Sequence, residues 1–136
     1  MQITSRTEYS VRALCELCFN QKPLSLRKIS EAQKLPIKYL EHLFRQLKQH
    51  DLVSSVSGAK GGYVLNRSIK EITLLDIIEA VEEINVSMDC DKRENSEYCI
   101  GKPCGFHQVW QEIHEHMKSY YANMSLEYIC TKIKEK

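Results

Sequence analysis

Between Ser5 and Asn20 the chain sets Tyr9, Ala13, Leu14, Leu17 and Cys18 at intervals that gather on one side of an α-helix. That spacing predicts a first helix, with Ser5 as its amino-terminal cap. Two more apolar sets follow closely. Leu26, Ile29 and Ala32 mark a short helix that Ser25 can cap. Leu40, Leu43, Phe44 and Leu47 then repeat at the i, i+3, i+4, i+7 spacing of a single stripe. Pro36 suits the first turn of this third helix, where a missing N–H leaves no bond unmade. After it the period shortens. Leu52 to Val56 and Tyr63 to Leu65 are β-prone runs around Ser57, Gly58, Ala59, Lys60, Gly61 and Gly62, a tip able to turn the chain back into a hairpin.

The second half returns to helical spacing. Thr73 followed by Asp76 makes a capping pair for a helix carrying Leu74, Leu75, Ile77, Ile78 and Val81. From Gly105 onward, Phe106, Trp110, Ile113, Met117, Tyr120 and Met124 recur at steps of 4, 3, 4, 3 and 4. That is the period of a seam between helices, and its expected partner is the same helix of a second copy. His114 and His116 are expected to face solvent. Ser125 is expected to cap a last helix through Leu126, Ile129 and Ile133, with Cys130 on its apolar side. The predicted fold is therefore mostly α with one small β-hairpin, a winged helix–turn–helix followed by a long dimerisation helix. Its expected divisions are a DNA-binding region over 1–84, a cysteine-bearing loop over 85–104, and the dimerisation and C-terminal helices over 105–136.

Charge sharpens this picture. The net charge is only +1, yet residues 1–67 carry 11 Lys and Arg against 5 Asp and Glu, while residues 68–136 carry 8 against 13. A basic first half suits a polyanion, because neutralising phosphates drives affinity for nucleic acid. Opposite the apolar stripe of the third helix lie Lys38, His42, Arg45 and Gln49, flanked by Tyr39 and Glu41. Such a face usually does no more than meet water. As the second helix of a helix–turn–helix in a basic half, it is expected to read base edges in a major groove. The Lys60 hairpin is expected to act as the wing, against backbone or minor groove. It is not a nucleotide-binding loop, since Lys60 is followed by two glycines and a strand rather than by Ser or Thr opening a helix. No nucleophile–base pair or paired-carboxylate motif suggests an enzyme. No run approaches the roughly 20 apolar residues of a membrane span, and no apolar signal core follows Met1, so the expected location is the cytoplasm.

The chain has 6 cysteines. Cys15 and Cys18 lie three apart on the first helix, and without a second pair they read as small core residues rather than metal ligands. Cys90, Cys99 and Cys104 fall in about 20 residues without periodicity between Glu83 and Gly105. Three soft ligands in a long polar connection are able to pin it to a metal. His107 follows Cys104 closely enough to add an imidazole, and three Cys with one His can fill a zinc tetrahedron or complete an iron–sulfur cluster. Gaps of eight and four residues are wide for a zinc knuckle. Spacing alone ranks an iron–sulfur cluster first, structural zinc second and a metal-free thiol switch third. A small iron–sulfur carrier would have no use for the basic face.

Three stretches, "YLEHLFRQLKQHDLVSSVSGAKGGYVL" (Tyr39 to Leu65), "ITLLDIIEAVE" (Ile72 to Glu82) and the cysteine loop, resemble the Rrf2 family of bacterial winged-helix regulators, whose members include iron–sulfur cluster and nitric-oxide sensors. The resemblance implies a homodimer that binds a pseudo-palindromic promoter and senses cluster status, and the expected role is that of a repressor. It implies Tyr39, Glu41 and His42 as base-reading residues, with Gly58, Lys60, Gly61 and Gly62 on the wing. It also implies Cys90, Cys99 and Cys104 as ligands of a [2Fe-2S] or [4Fe-4S] cluster. His107 falls where the cluster regulators have an imidazole ligand. Glu8 falls where the nitric-oxide sensor takes a carboxylate from the partner subunit, so His107 is the first candidate for the fourth ligand and Glu8 of the partner subunit the second. Cluster-holding members space their cysteines more evenly than this chain does.

Overall fold

A computed structural model describes residues 3–82, 100 and 104–134. Among these residues, six helices and one hairpin follow in chain order: α1 (Ser5–Phe19), α2 (Leu26–Gln33), α3 (Ile37–Gln49), β1 (Val53–Val56), β2 (Gly62–Leu65), α4 (Leu74–Val81), α5 (Gly105–Ala122) and α6 (Leu126–Lys134). β1 and β2 pair antiparallel, from Val53 opposite Leu65 to Val56 opposite Gly62. This is the mostly helical architecture with a small hairpin that the apolar periods predict.

The core forms where the stripes meet. Leu14 of α1, Ile29 of α2, Leu40, Leu43, Phe44 and Leu47 of α3, and Ile77 and Val81 of α4 are all buried. Each such side chain contributes about 1.5–3 kcal/mol by leaving water, and together they fix how α3 sits on its neighbours. Leu126 and Cys130 of α6 join the same cluster. The last helix is held there by main-chain bonds around the base of α4: Leu74 N–H to the Met124 carbonyl at 2.8 Å, Leu126 N–H to Ile72 at 2.8 Å, and Glu127 N–H to Ile69 at 3.0 Å.

Caps set most of the boundaries. The Ser25 hydroxyl accepts from Lys28 N–H at 3.2 Å. Thr73 and Asp76 form a reciprocal capping box, with bonds of 3.1 and 3.0 Å. Ser125 accepts from Tyr128 N–H at 3.1 Å. These three caps match the sequence reading, whereas other details differ from it. Ser5 is the first residue of α1 rather than its cap, Thr4 holds the cap position without a capping side-chain bond, and Thr4 and Thr7 instead turn their hydroxyls to the Glu82 carboxylate. Pro36 is the residue before α3 rather than inside its first turn. Ala32 is exposed, and Leu35 takes the buried place expected of it. The reason is that α2 ends at Gln33 and Lys34 turns left-handed (φ 54°), which swings Leu35 back under the helix. Leu75 is only half-buried, and Ile133 is 45% exposed near the end of α6. His114 is half-buried rather than solvent-facing, while His116 is exposed as expected.

Candidate nucleic-acid interface and cysteine site

The turn between α2 and α3 is fixed from inside. The Ser30 hydroxyl donates to the Leu35 carbonyl at 2.5 Å, and Leu35 N–H returns to the Ser30 carbonyl at 3.1 Å. With the Leu40–Leu47 stripe buried, the opposite side of α3 must face outward. Lys38, Glu41, His42, Arg45 and Gln49 are all exposed there. Tyr39 is different: it is half-buried, edge-on to Tyr9 of α1 with ring centroids 5.6 Å apart. The Arg12 guanidinium lies 5.6 Å from the Tyr9 ring centre and also donates to Gln33 at the end of α2. Tyr39 thus joins α1 to α3.

The hairpin is fastened to this head at three points. Leu24, just before α2, exchanges main-chain bonds with Tyr63 at 3.1 and 2.8 Å. The Phe44 and Tyr63 rings meet at 4.9 Å. Lys48 of α3 donates to the Ser55 hydroxyl of β1 at 2.9 Å. Close approach explains one of the glycines: a Cβ on Gly62 would stand 2.4 Å from both the carbonyl carbon and the oxygen of Leu24. Gly58 serves the tip differently, with a left-handed φ of 106° and a carbonyl that accepts from Gly61 N–H at 3.0 Å. Ser57, Gly58 and Lys60 are exposed at the tip, and Gly61 and Gly62 are half-buried beneath it.

Two basic residues escaped the sequence reading. Lys22 and Lys28, from the connection before α2 and from its first turn, line a cleft together with Lys60 and Gly61 of the wing. The pairing of Leu24 with Tyr63 brings these segments together. The signal available in the sequence was the run of cations around Ser25.

Cys104 occupies the cap position of α5, half-buried, and its side chain makes no capping bond. His107 lies on the first turn of that helix, also half-buried. A sulfur and an imidazole are therefore borne by one helix end. Cys90 and Cys99 lie outside the described residues. Glu8 is exposed on α1 and pairs with Arg12 of its own chain at 3.4 Å. Among the described residues no group of three or more His, Cys, Asp and Glu side chains forms a metal site. Cys15 and Cys130 are buried, and Cys18 is half-buried against the core.

The seam of α5 stands open. Phe106, Trp110, Ile113 and Tyr120 are 65%, 49%, 48% and 66% exposed, while Met117 and Met124 are half-buried. No residue of this helix is buried. No helix among the described residues is long and apolar enough to cross a membrane.

A sequence model of the Rrf2 family, described as "Iron-dependent Transcriptional regulator", matches residues 3–132. Among curated proteins, the HTH-type transcriptional regulator IscR of Xenorhabdus nematophila is 36% identical over 130 residues, covering 93% of this chain and 77% of that protein. Among solved structures, CymR, the global cysteine regulator of B. subtilis, superposes with a TM-score of 0.80 at 27% identity, over 97% of this chain and 98% of that one. T. potens IscR does so with a TM-score of 0.76 at 28% identity, over 99% and 90%. These relatives are transcriptional regulators, and the two solved structures share this chain's fold over nearly its whole length. The chain belongs to the Rrf2 family of transcriptional regulators.

Proposed function

We propose that this regulator works in the cytoplasm as a homodimer whose grip on promoter DNA, most simply as a repressor, is set by an iron–sulfur cluster held on Cys90, Cys99, Cys104 and a fourth ligand. The observation that carries this reading is the placement of Cys104 at the cap of α5 and His107 on its first turn, at the root of its exposed apolar seam. Ligands at that point bear directly on how two copies pack. The donor set suits the group: thiolates and an imidazole are soft or borderline ligands, and Cys104 is not committed to capping the helix. A cluster so held would supply bonds that iron limitation, oxidants or nitric oxide can break. His107 is the favoured fourth ligand, because it shares the helix end with Cys104. Glu8 of the partner subunit remains second, since Glu8 already has Arg12 as a partner in its own chain.

The chain's own residues would do the rest. The cysteine segment follows Glu82 in the chain, and the Glu82 carboxylate binds Thr4 at the cap of α1 and Thr7 on it. α1 in turn supports Tyr39 through Tyr9. A ligand alters DNA affinity only by favouring one arrangement of the two heads over another. On DNA, Arg45, His42, Glu41, Lys38 and Tyr39 are assigned to the major groove. Ser57, Gly58, Lys60, Gly61 and Gly62 are assigned to the backbone beside it, with Lys22 and Lys28 near Lys60. Structural zinc is the second reading for the same donors.

Two measurements test the two ends of this reading. Iron and sulfide analysis of protein purified without air should give a loaded wild type and a depleted His107→Ala variant. A normal load in His107→Ala together with loss in Glu8→Ala would transfer the fourth position to the carboxylate, and zinc without sulfide would replace the cluster. In duplex binding, Lys60→Ala should weaken all sequences alike and lower the salt slope by about one, whereas Arg45→Ala should relax preference at one base position by about 1–3 kcal/mol. Unchanged binding in both variants would remove the winged surface from the account.

A further inference from the structure

Three cysteines outside the loop converge in the core. Cys15 and Cys18 are three residues apart on α1, one turn of the same helix; the Cys130 thiol of α6 donates to the Cys15 sulfur at 3.1 Å, and Cys130 is close enough to Cys18 to raise the Cys18 thiol. Cys15 is 1% exposed and Cys130 3%, whereas Cys18 is half-buried. The group therefore has one thiol near solvent and two in the interior, all of them free. Neither the DNA surface nor the cysteine loop uses them.

We propose that Cys15, Cys18 and Cys130 form a second oxidation site, with a small peroxide entering at Cys18 and an internal Cys15–Cys130 disulfide as the lasting product. The Cys18 thiolate attacks one oxygen of hydrogen peroxide, the O–O bond breaks, and the departing hydroxide takes a proton to leave as water. The Cys130 sulfur then attacks the Cys18 sulfenic acid, the S–O bond breaks, and a second water leaves with the Cys130 proton. Cys15, already beside Cys130, displaces Cys18 by thiol–disulfide exchange and passes its proton to it. Overall two thiols lose two electrons and two protons, and one peroxide becomes two waters.

The surroundings set the pace. Burial pushes the Cys18 thiol up to about 11, the Cys130 hydrogen bond and charge and the Glu127 carboxylate add to this, and only the Lys134 ammonium opposes it. Cys130 is raised further, first by its bond to Cys15 and then by burial, with Cys18 and Lys134 acting against it. Only the thiolate is a nucleophile, so capture at neutral pH is slow and quickens about tenfold with each pH unit until the thiol itself ionises. The site thus registers sustained oxidant rather than a brief pulse. Its product ties α6, and through it the α5–α6 junction, to the first helix.

Peptide mapping of the full chain after timed exposure to hydrogen peroxide, followed by alkylation, tests this. The expected result is a peptide carrying Cys15 and Cys18 linked to the peptide carrying Cys130, formed about ten times faster for each unit of pH raised between 7 and 9. Cys15→Ser should stop at the Cys18–Cys130 link, and Cys18→Ser should slow linkage at least tenfold. Oxidised wild type should melt at a higher temperature than reduced, and dithiothreitol should reverse the difference. A Cys130 peptide that stays unlinked, or that links only to the loop cysteines, would overturn the proposal. Linkage that ignores pH and the loss of Cys18 would overturn the entry step.

Discussion

Phe44→Ala is expected to lower the unfolding free energy by about 3–5 kcal/mol, measured by urea denaturation of the full chain. Phe44 has no exposed surface, and its ring is the contact between the recognition helix and β2 through Tyr63. Removing it takes away apolar surface and leaves a void that α3 can close only by shifting, which would disturb the wing at the same time. Total stabilities of small domains are about 5–15 kcal/mol, so the variant should be close to its limit and its DNA binding correspondingly weak. A change below about 1 kcal/mol would mean that the site collapses freely and that α3 and the hairpin are not one packed unit.

Trp110→Glu is expected to turn a dimer into a monomer in sedimentation and to reduce operator affinity by about a hundredfold or more. The side chain is 49% exposed in the single chain, so a carboxylate there should leave the fold intact. In a two-helix seam, however, it would put a charge opposite apolar partners with nothing to pair it. Joining two reading heads raises the effective concentration of the second into the millimolar range, and a monomer forfeits that advantage. Ile113→Asp, one turn further along the same stripe, should act alike. Dimers that persist in both variants would assign the exposed seam to some other contact.

Much of this arrangement was legible because local and global signals agree. The stripe Leu40–Leu43–Phe44–Leu47 fixed one face of α3 as buried, which left Lys38, His42 and Arg45 no place but outside. Thr73 and Asp76, and Ser125 after Met124, marked helix starts through side-chain chemistry that depends on few other residues. What escaped depends on contacts distant in sequence. Ala32 was misread because period alone cannot tell that α2 stops at Gln33 and that a left-handed Lys34 brings in Leu35. The half-burial of Tyr39 needs Tyr9, and the cleft around Lys22, Lys28 and Lys60 needs the Leu24–Tyr63 bridge. Cys15 and Cys130 lie in the core and Cys18 packs half-buried against it, yet the meeting of Cys15 with Cys130 spans 115 positions of sequence and leaves no local trace. Cys104 and His107 fall together because a helix starts between them, whereas Cys90 and Cys99 lie outside the described residues.

Control of DNA binding by the cluster is decided by the affinity of the air-free protein for its own promoter duplex, measured at one salt concentration with the cluster present and after its removal. The expected difference is at least tenfold, about 1.4 kcal/mol, and it disappears when Cys104 is replaced by Ala. Equal affinity in the two states, with iron and sulfide verified in the first, would contradict it.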